Sequence, residues 1–328
     1  LYEAALKGIQ GAKGEKSKEY ITVLGQLASV YRNQGNYEKA EGLYKKSLDL
    51  YGEVNEKATK ESGKIMLDLA SIYVLQGKFD EAEKIYTQAL TVFKENVGEF
   101  SADYASVLNN IGLFYAEAGK FDLAESFYKQ SLEIGRQTIG EKHPDNITTY
   151  NNLGLTYKAT GKFDLAEATL KRAVKYWKDI KSDKTAEYAT AINNLGGLYE
   201  ILGRPDEAEE AYSEALSILK SGSGVKTILY ATTLNNLAGI YETIKKYDKA
   251  ENAYNEALSV IKDVYGENHA AYAAALNNLA VLQEAMGKKQ AALKLYKQNL
   301  ETTKATLGER HPNFAISLNN YGVLLESM

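Results

Sequence analysis

Few side chains of this 328-residue chain could do catalytic or metal chemistry. It contains no cysteine, which excludes disulfides and thiolate chemistry. Its three histidines, His143, His269 and His311, occupy equivalent places in a repeated sequence, too far apart to converge on one ion, so we expect no metal site. No phosphate-binding loop or serine-nucleophile motif occurs, and the carboxylates form no unique pair. The sequence therefore predicts a protein that is not an enzyme and uses no cofactor.

Amides are the polar side chains that recur most regularly. Six successive copies of the repeat carry a pair of asparagines: Asn109-Asn110, Asn151-Asn152, Asn193-Asn194, Asn235-Asn236, Asn277-Asn278 and Asn319-Asn320. Asparagine is a mediocre helix former, so its repeated use within a helix needs a reason. One reason is an amide ladder between neighbouring repeats. The other is that amides, which both donate and accept, hold the backbone of an extended guest segment of any sequence. The pattern alone leaves both open.

The residue seven positions after the first asparagine of each pair changes in charge along the chain. Along the chain it reads Arg32, Val74, Ala116, Lys158, Glu200, Glu242, Glu284 and Glu326. Four consecutive carboxylates favour a basic guest over the carboxy-terminal half, and a solvated helix face is the alternative. Another basic column, which we interpret as solvated turn residues, comprises Lys78, Lys120, Lys162, Arg204, Lys246 and Lys288.

A 42-residue period sets all these positions. One tyrosine column holds Tyr31, Tyr73, Tyr115, Tyr157, Tyr199 and Tyr241, and an alanine column holds Ala40, Ala82, Ala124, Ala166, Ala208, Ala250 and Ala292. Repeats of this length are typical of solenoids, because one unit cannot bury its apolar face without a stacked neighbour.

Each 42-residue repeat is predicted to consist of two antiparallel helices. In the fourth, Tyr150, Leu153, Gly154 and Tyr157 form one apolar helix face, and Gly161 ends that helix at a left-handed C′ position. Lys245 interrupts this glycine column and would cost about 1 kcal/mol if the left-handed conformation is kept. We expect the second helix after an aromatic-acid step such as Phe163-Asp164.

The linkers are predicted to end in helix N-caps. Thr59, Ser101, His143, Thr185, Thr227, His269 and His311 share one column, and proline follows two of the histidines at the favoured first helical position. All three histidines thereby receive a structural role.

Helical geometry also predicts which face stays open. At about 100° per residue, Thr148, Asn152, Leu155 and Ala159 lie nearly opposite the packing face. Asn151 and Lys158 lie on the flank between the two faces. We call Thr148, Asn152, Leu155, Ala159 and their equivalents 42 residues apart the open strip.

The segments LNNLG, LAEATLKRA, GEKHPD and GERHPN, with a glycine before a Lys-Phe-Asp turn, resemble a tetratricopeptide-repeat protein of the 42-residue kinesin light chain-like type. The resemblance covers residues 20–328. It implies an all-α fold, a right-handed α-α superhelix. In that family, first helices line a concave side that holds extended peptides of partner proteins.

The resemblance and the columns together predict a non-catalytic adaptor that binds a protein or peptide segment in this groove. The candidate partner-binding residues are Asn110, Asn152, Asn194, Asn236 and Asn278 in the groove, with Asn151, Asn193, Asn235, Lys158, Glu200, Glu242 and Glu284 beside them. The alternative is a structural subunit of a larger complex, which contacts its partners through its ends and convex face.

Composition and ends complete the prediction. A net charge of −4 gives no general electrostatic case for nucleic acid, and no apolar run predicts membrane insertion; a cytoplasmic location is the default. We expect one array over residues 1–328: residues 1–19 supply a second helix and linker, 20–313 seven full repeats, and 314–328 the first helix of another. Because both ends fall inside a repeat, we expect further chain or a docked partner there.

Overall fold

The computed structural model describes residues 1–54, 58–222 and 224–328. Every regular element in these ranges is helical, which confirms the all-α class. The helices are α1 (Tyr2–Lys13), α2 (Lys18–Asn33), α3 (Tyr37–Val54), α4 (Lys60–Leu75), α5 (Phe79–Val97), α6 (Ala102–Glu117), α7 (Phe121–Thr138), α8 (Pro144–Ala159), α9 (Phe163–Asp179), α10 (Ala186–Ile201), α11 (Pro205–Ser221), α12 (Ile228–Thr243), α13 (Tyr247–Tyr265), α14 (Ala270–Ala285), α15 (Lys289–Leu307) and α16 (Pro312–Glu326). Within the described ranges, none of these helices combines the length and the apolarity that crossing a membrane requires.

The helices keep the predicted period. First helices are the even-numbered ones from α2 to α16, and the predicted linker residues cap them. The hydroxyls of Ser101, Thr185 and Thr227 accept backbone N–H bonds. At Thr59 the cap takes another form, because the backbone N–H of Thr59 donates to Ser62 Oγ at 3.0 Å.

Each histidine caps its helix through Nδ1. This atom accepts a backbone N–H from the residue two positions on, at 3.3 Å for His143 and at 3.1 Å for both His269 and His311. The capping prediction for the histidines is confirmed.

The turn between the two helices of a repeat follows the glycine column. Gly203 has a φ of 67°, and Lys245, in the same place one repeat later, has a φ of 59°. Backbone N–H groups of Lys245 and Lys246 donate to the carbonyls of Glu242 and Tyr241, the pattern that ends a helix in a left-handed residue. Lysine therefore keeps the conformation that glycine adopts without strain. Helices α3, α5, α7, α9 and α13 begin at the aromatic residue itself, so the predicted aromatic-acid step belongs to the first turn of the helix, whereas α11 begins at Pro205 and α15 at Lys289.

The described chain forms two compact units, Leu1–Lys162 and Phe163–Met328. In the first unit α2 to α8 pack in chain order, and first helices also touch each other, α2 against α4, α4 against α6 and α6 against α8. In the second unit α9 to α16 pack in chain order, and α10 touches α12.

Small residues allow the two helices of a pair to approach. A Cβ at Gly112 would lie 2.7 Å from Cε1 of Tyr128, and a Cβ at Gly196 would lie 2.8 Å from Cε1 of Tyr212. Both tyrosines are completely buried. Tyr128 and Tyr212, which occupy the same position two repeats apart, therefore pack directly on the backbone of the first helix.

Ion pairs join successive second helices at the turns, where we expected solvated lysines. Lys78, Lys120, Lys162, Arg204, Lys246 and Lys288 pair respectively with Glu41, Glu83, Glu125, Glu167, Glu209 and Glu251 of the preceding repeat, at 2.7 to 3.1 Å. Each pair is at least partly exposed, so each contributes little stability alone.

Glu41, one carboxylate of this series of ion pairs, has a strongly lowered pKa. Burial tends to raise the pKa of Glu41, but hydrogen bonds from Lys45, Gln76 and Lys78 outweigh it and lower the pKa to about 2. The folded chain therefore holds this carboxyl in its charged form well below the usual range.

Candidate partner-binding surface

The positions of the open strip are accessible within each unit, on α6 and α8 in the first and on α10, α12, α14 and α16 in the second. At the four positions equivalent to Thr148, Asn152, Leu155 and Ala159, every residue is exposed or half-buried. The strip mixes amides with small residues and with exposed apolar side chains, among them Leu113, Ile201 and Val281. Such a surface offers both hydrogen bonds and apolar contact to a partner.

The paired asparagines form an amide ladder between first helices. The second asparagine of one helix donates from Nδ2 to Oδ1 of the first asparagine one repeat earlier. The rungs are Asn152 to Asn109 at 3.2 Å, Asn236 to Asn193 at 3.3 Å, Asn278 to Asn235 at 2.9 Å and Asn320 to Asn277 at 2.9 Å. The structural reason for the asparagines is therefore present within both units.

The ladder still leaves hydrogen-bonding capacity on the strip. Each rung uses one N–H of the second asparagine and the oxygen of the first, so Oδ1 and one N–H of Asn152, Asn236 and Asn278 remain outside the rung. Asn193 is only 9% exposed, whereas its rung partner Asn236 is half-buried, so in this rung the second asparagine has the better access to a guest.

Asn110 differs from the rest of its column. The residue 43 positions earlier is Leu67, so this amide has no asparagine to bond. Asn110 instead lines a cavity of about 320 Å³ with Lys64, Asp68 and Ser106. A second cavity of about 370 Å³, shared by α2, α3 and α4, also includes Lys64 and Asp68.

The open surface of the first unit carries a half-buried carboxylate, that of Asp68. Asp68 is the carboxylate shared by its two cavities, and burial raises the pKa of this carboxyl, although Arg32 at 3.5 Å tends to lower it. Asp68 stands where later repeats have Asn110 and Asn152. The asparagines of this column therefore begin at α6, although the equivalent position of α2 holds another amide, Gln26.

The carboxylates on the flank have buried partners. Hydroxyl groups of Tyr212, Tyr254 and Tyr296 donate to Oε2 of Glu200, Glu242 and Glu284, at 3.1, 3.4 and 3.0 Å. Burial, together with the adjacent carboxylate, raises the pKa of each tyrosine. These glutamates are therefore more than a solvated face, because each satisfies a hydroxyl that the repeat buries.

The earlier repeats show what happens without the glutamate. Position 116 is alanine, and the hydroxyl of the completely buried Tyr128 has no hydrogen-bond partner. Glu200, Glu242 and Glu284 each precede a tyrosine by twelve residues, but tyrosine also follows Ala116 at the same separation. Sequence reasoning missed this pairing, because the tyrosines recur in repeats that lack the glutamate.

No group of three or more histidine, aspartate or glutamate side chains within the described ranges could hold a metal ion.

Comparison with known protein families identifies the repeat. The family profile of the tetratricopeptide repeat matches residues 1–53, 19–95, 61–134, 103–179, 148–221, 187–263 and 229–305. No curated protein matches the chain.

Three solved structures illustrate the similarity. BtubC (BKLC) from P. vanneervenii is 22% identical, with a TM-score of 0.57, over 75% of this chain and 91% of the other. A Podospora anserina kinesin light chain-type protein with nearly identical TPR-like repeats is 18% identical, with a TM-score of 0.53, over 61% of this chain and 95% of the other. The Cut9-Hcn1 hetero-tetramer of APC/C is 17% identical, with a TM-score of 0.58, over 98% of this chain and 59% of the other. At these identities the likeness shows the fold.

Proposed function

Because the chain belongs to the tetratricopeptide-repeat family, with repeats of the kinesin light chain-like type, we propose that it is a non-catalytic adaptor that holds an extended protein segment along the open strip. Repeats of this family support a protein-interaction scaffold in general. The proposal adds the surface, the kind of guest and the residues that hold it.

The observation that carries the proposal is the placement of the second asparagines. Asn152, Asn236 and Asn278 stay accessible on the open strip while their rungs hold each side chain in one orientation. A fixed amide loses little rotamer entropy when it binds, so a backbone hydrogen bond to a guest costs less to form. A peptide backbone presents N–H and C=O groups at every residue, and a series of amides can bind it whatever the side chains are.

The flank carboxylates extend the proposal to the charge of the guest. Glu200, Glu242 and Glu284 give the second unit a row of negative charge beside the strip, and the tyrosine hydroxyls occupy only Oε2 of each. A guest with lysine or arginine toward this end would gain attraction and a faster association rate. We therefore propose a basic segment as the partner of residues 186–285.

A structural subunit of a larger assembly is the second candidate. Similarity to the Cut9-Hcn1 structure, which extends over 98% of this chain, favours it, because that protein is part of a hetero-tetramer. Partners of such a subunit would bind outside the open strip.

The ladder supplies a matched pair of variants to test the adaptor. Asn152, Asn236 and Asn278→Ala removes three strip amides and their three rungs. Asn109, Asn193 and Asn235→Ala breaks the same three rungs from the acceptor side but keeps the strip amides. Partners from native extract would be quantified with both triple variants and the wild type, after their melting temperatures are compared.

The adaptor predicts that one set of partners disappears with the first variant and is only weakened with the second, whose strip amides remain but are no longer held by their rungs. Equal loss in both variants would assign the asparagines to the ladder alone. Partners that persist in both variants would move the function to other surfaces and favour the assembly subunit.

A further inference from the structure

One residue of the open strip in the first unit carries a charge where every other repeat has none. Glu117 occupies the fourth strip position on α6 and is exposed. The strip position one turn earlier, that of Leu113 on α6, is also uncharged in every repeat. The equivalents of Glu117 are Asn33, Leu75, Ala159, Ile201, Thr243, Ala285 and Ser327. The repeat pattern therefore does not require a carboxylate here.

The folded chain also does not stabilise the charge of Glu117. This glutamate is the last residue of α6, where the helix dipole favours a cation and disfavours an anion. Its carboxylate forms no hydrogen bond or ion pair with the described residues, and burial raises the pKa of this carboxyl without any neighbouring group that lowers it. Lys120, three residues on, pairs instead with Glu83 at 2.9 Å. The carboxylate therefore has reduced hydration and no counter-charge.

The neighbouring helices supply no positive charge either. Tyr86 of α5 and Tyr128 of α7 both have a raised pKa, because burial and, after it, the charge of Glu117 disfavour their ionised forms. Both hydroxyls are therefore neutral. The other charge that acts on Tyr86 is again negative, that of Asp68 on α4. A cation from outside the chain would thus meet an attractive field at Glu117.

Exposed apolar side chains surround Glu117 on the strip. Leu113 is 43% exposed, and Leu75, at the equivalent position of the adjacent helix α4, is 52% exposed. Lysine and arginine lay their methylenes on apolar surface while the charged head stays with a polar partner. A purely apolar guest side chain would dehydrate the carboxylate further without pairing it, and an acidic one would be repelled. The surroundings of Glu117 therefore select a basic side chain.

We propose that Glu117 binds a lysine or arginine side chain of the segment held on the open strip, with the stem of that side chain packed on Leu113 and Leu75. The guest ammonium or guanidinium group pairs with the carboxylate and lies at the carbonyl end of α6, where the helix dipole also attracts it. The inference rests on the proposed binding of an extended segment. It adds one basic position in the first unit to the basic segment proposed for residues 186–285.

The test starts from a random dodecapeptide library displayed on phage and selected on the wild-type chain. Each lysine or arginine of the selected peptides would be replaced in turn by glutamine. The peptides would be titrated calorimetrically against the wild type, Glu117→Gln, and the triple variant Asn152, Asn236 and Asn278→Ala. Glu81→Gln is the matched control, because it removes the same charge from an exposed position of α5, outside the strip.

The proposal predicts one basic peptide position that depends on Glu117. Its replacement by glutamine should weaken binding to the wild type and to Glu81→Gln about fivefold, and should leave binding to Glu117→Gln unchanged. Glu117→Lys should prefer the peptide with glutamate at this position over the peptide with lysine. The melting temperature of free Glu117→Gln should equal or exceed that of the wild type, because the unpaired carboxylate does not stabilise the fold.

The outcomes separate this site from the adaptor itself. Peptides that require the strip asparagines but have no such basic position, or in which every basic position is equally sensitive with Glu117→Gln, would overturn the site and leave the adaptor standing. A melting temperature of Glu117→Gln well below that of the wild type would assign the carboxylate to the fold and overturn the site as well. Selection of no peptide that depends on the strip asparagines would overturn both.

Discussion

Two buried tyrosines of the same column predict opposite responses to the loss of a hydroxyl. Tyr128 and Tyr212 are both completely buried, and both pack on a glycine of the first helix at nearly the same distance. The hydroxyl of Tyr212 donates to Glu200 at 3.1 Å, whereas that of Tyr128 has no partner. Phenylalanine at each position removes the hydroxyl and keeps the ring, so the pair isolates the hydrogen bond.

The magnitude follows from the two environments. A hydrogen bond to a charged group contributes about 1.5 to 3 kcal/mol net, and because Glu200 is exposed we take the lower end for Tyr212→Phe. An unsatisfied buried hydroxyl costs about 1 to 3 kcal/mol, so Tyr128→Phe should leave the stability unchanged or raise it. We expect the two variants to differ by at least about 1.5 kcal/mol.

Hydrogen exchange can measure this effect locally, which matters because long repeat arrays depart from two-state unfolding. Amide protection in α6 and α7 would report on Tyr128→Phe, and protection in α10 and α11 on Tyr212→Phe. Ala116→Glu should add protection when Tyr128 is present and none in the Tyr128→Phe background. Equal loss of protection in the two phenylalanine variants would refute the assignment of the glutamate column to the buried hydroxyls.

Three further predictions concern the turns and the helix contacts. Lys245→Gly should raise the free energy of unfolding by about 1 kcal/mol, because glycine adopts a φ of 59° without strain; no gain in urea denaturation would argue against a left-handed residue there. Gly196→Ala should lower the free energy of unfolding by about 1 to 3 kcal/mol, because the added Cβ would meet the ring of Tyr212. Gly25→Ala should be neutral or stabilising, because nothing lies within 4 Å of a Cβ at that position. Urea denaturation compares the two variants, and equal effects would contradict the close approach at Gly196. The pKa of Glu41 is lowered from 4.5 to about 2, so this carboxyl contributes stability that is complete above about pH 4.5 and is lost as the pH falls toward 2. The melting temperature of Glu41→Gln should therefore fall less across this pH range than that of the wild type. Melting temperatures that fall equally with pH in both proteins would contradict the lowered pKa.

The sequence by itself determined the helices and where they begin and end. The 42-residue period predicted the helix pairs, and the N-cap column predicted where first helices begin, because both depend on residues that are close together in the chain. Gly161 and Lys245 located the ends of first helices for the same reason, since the turn is closed by hydrogen bonds that span four and six residues.

Only the tertiary structure decided which of the recurring polar side chains meet. Rungs such as Asn152 to Asn109 join residues 43 positions apart, and the turn lysines reach glutamates 37 positions away. Whether side chains so far apart in the sequence come within hydrogen-bonding distance depends on how one repeat stacks on the next. The pattern within a single repeat does not specify that stacking. The same geometry pairs Glu200 with Tyr212 and leaves the hydroxyl of Tyr128 without a partner, because a contact between two helices depends on their separation as well as on the face each presents.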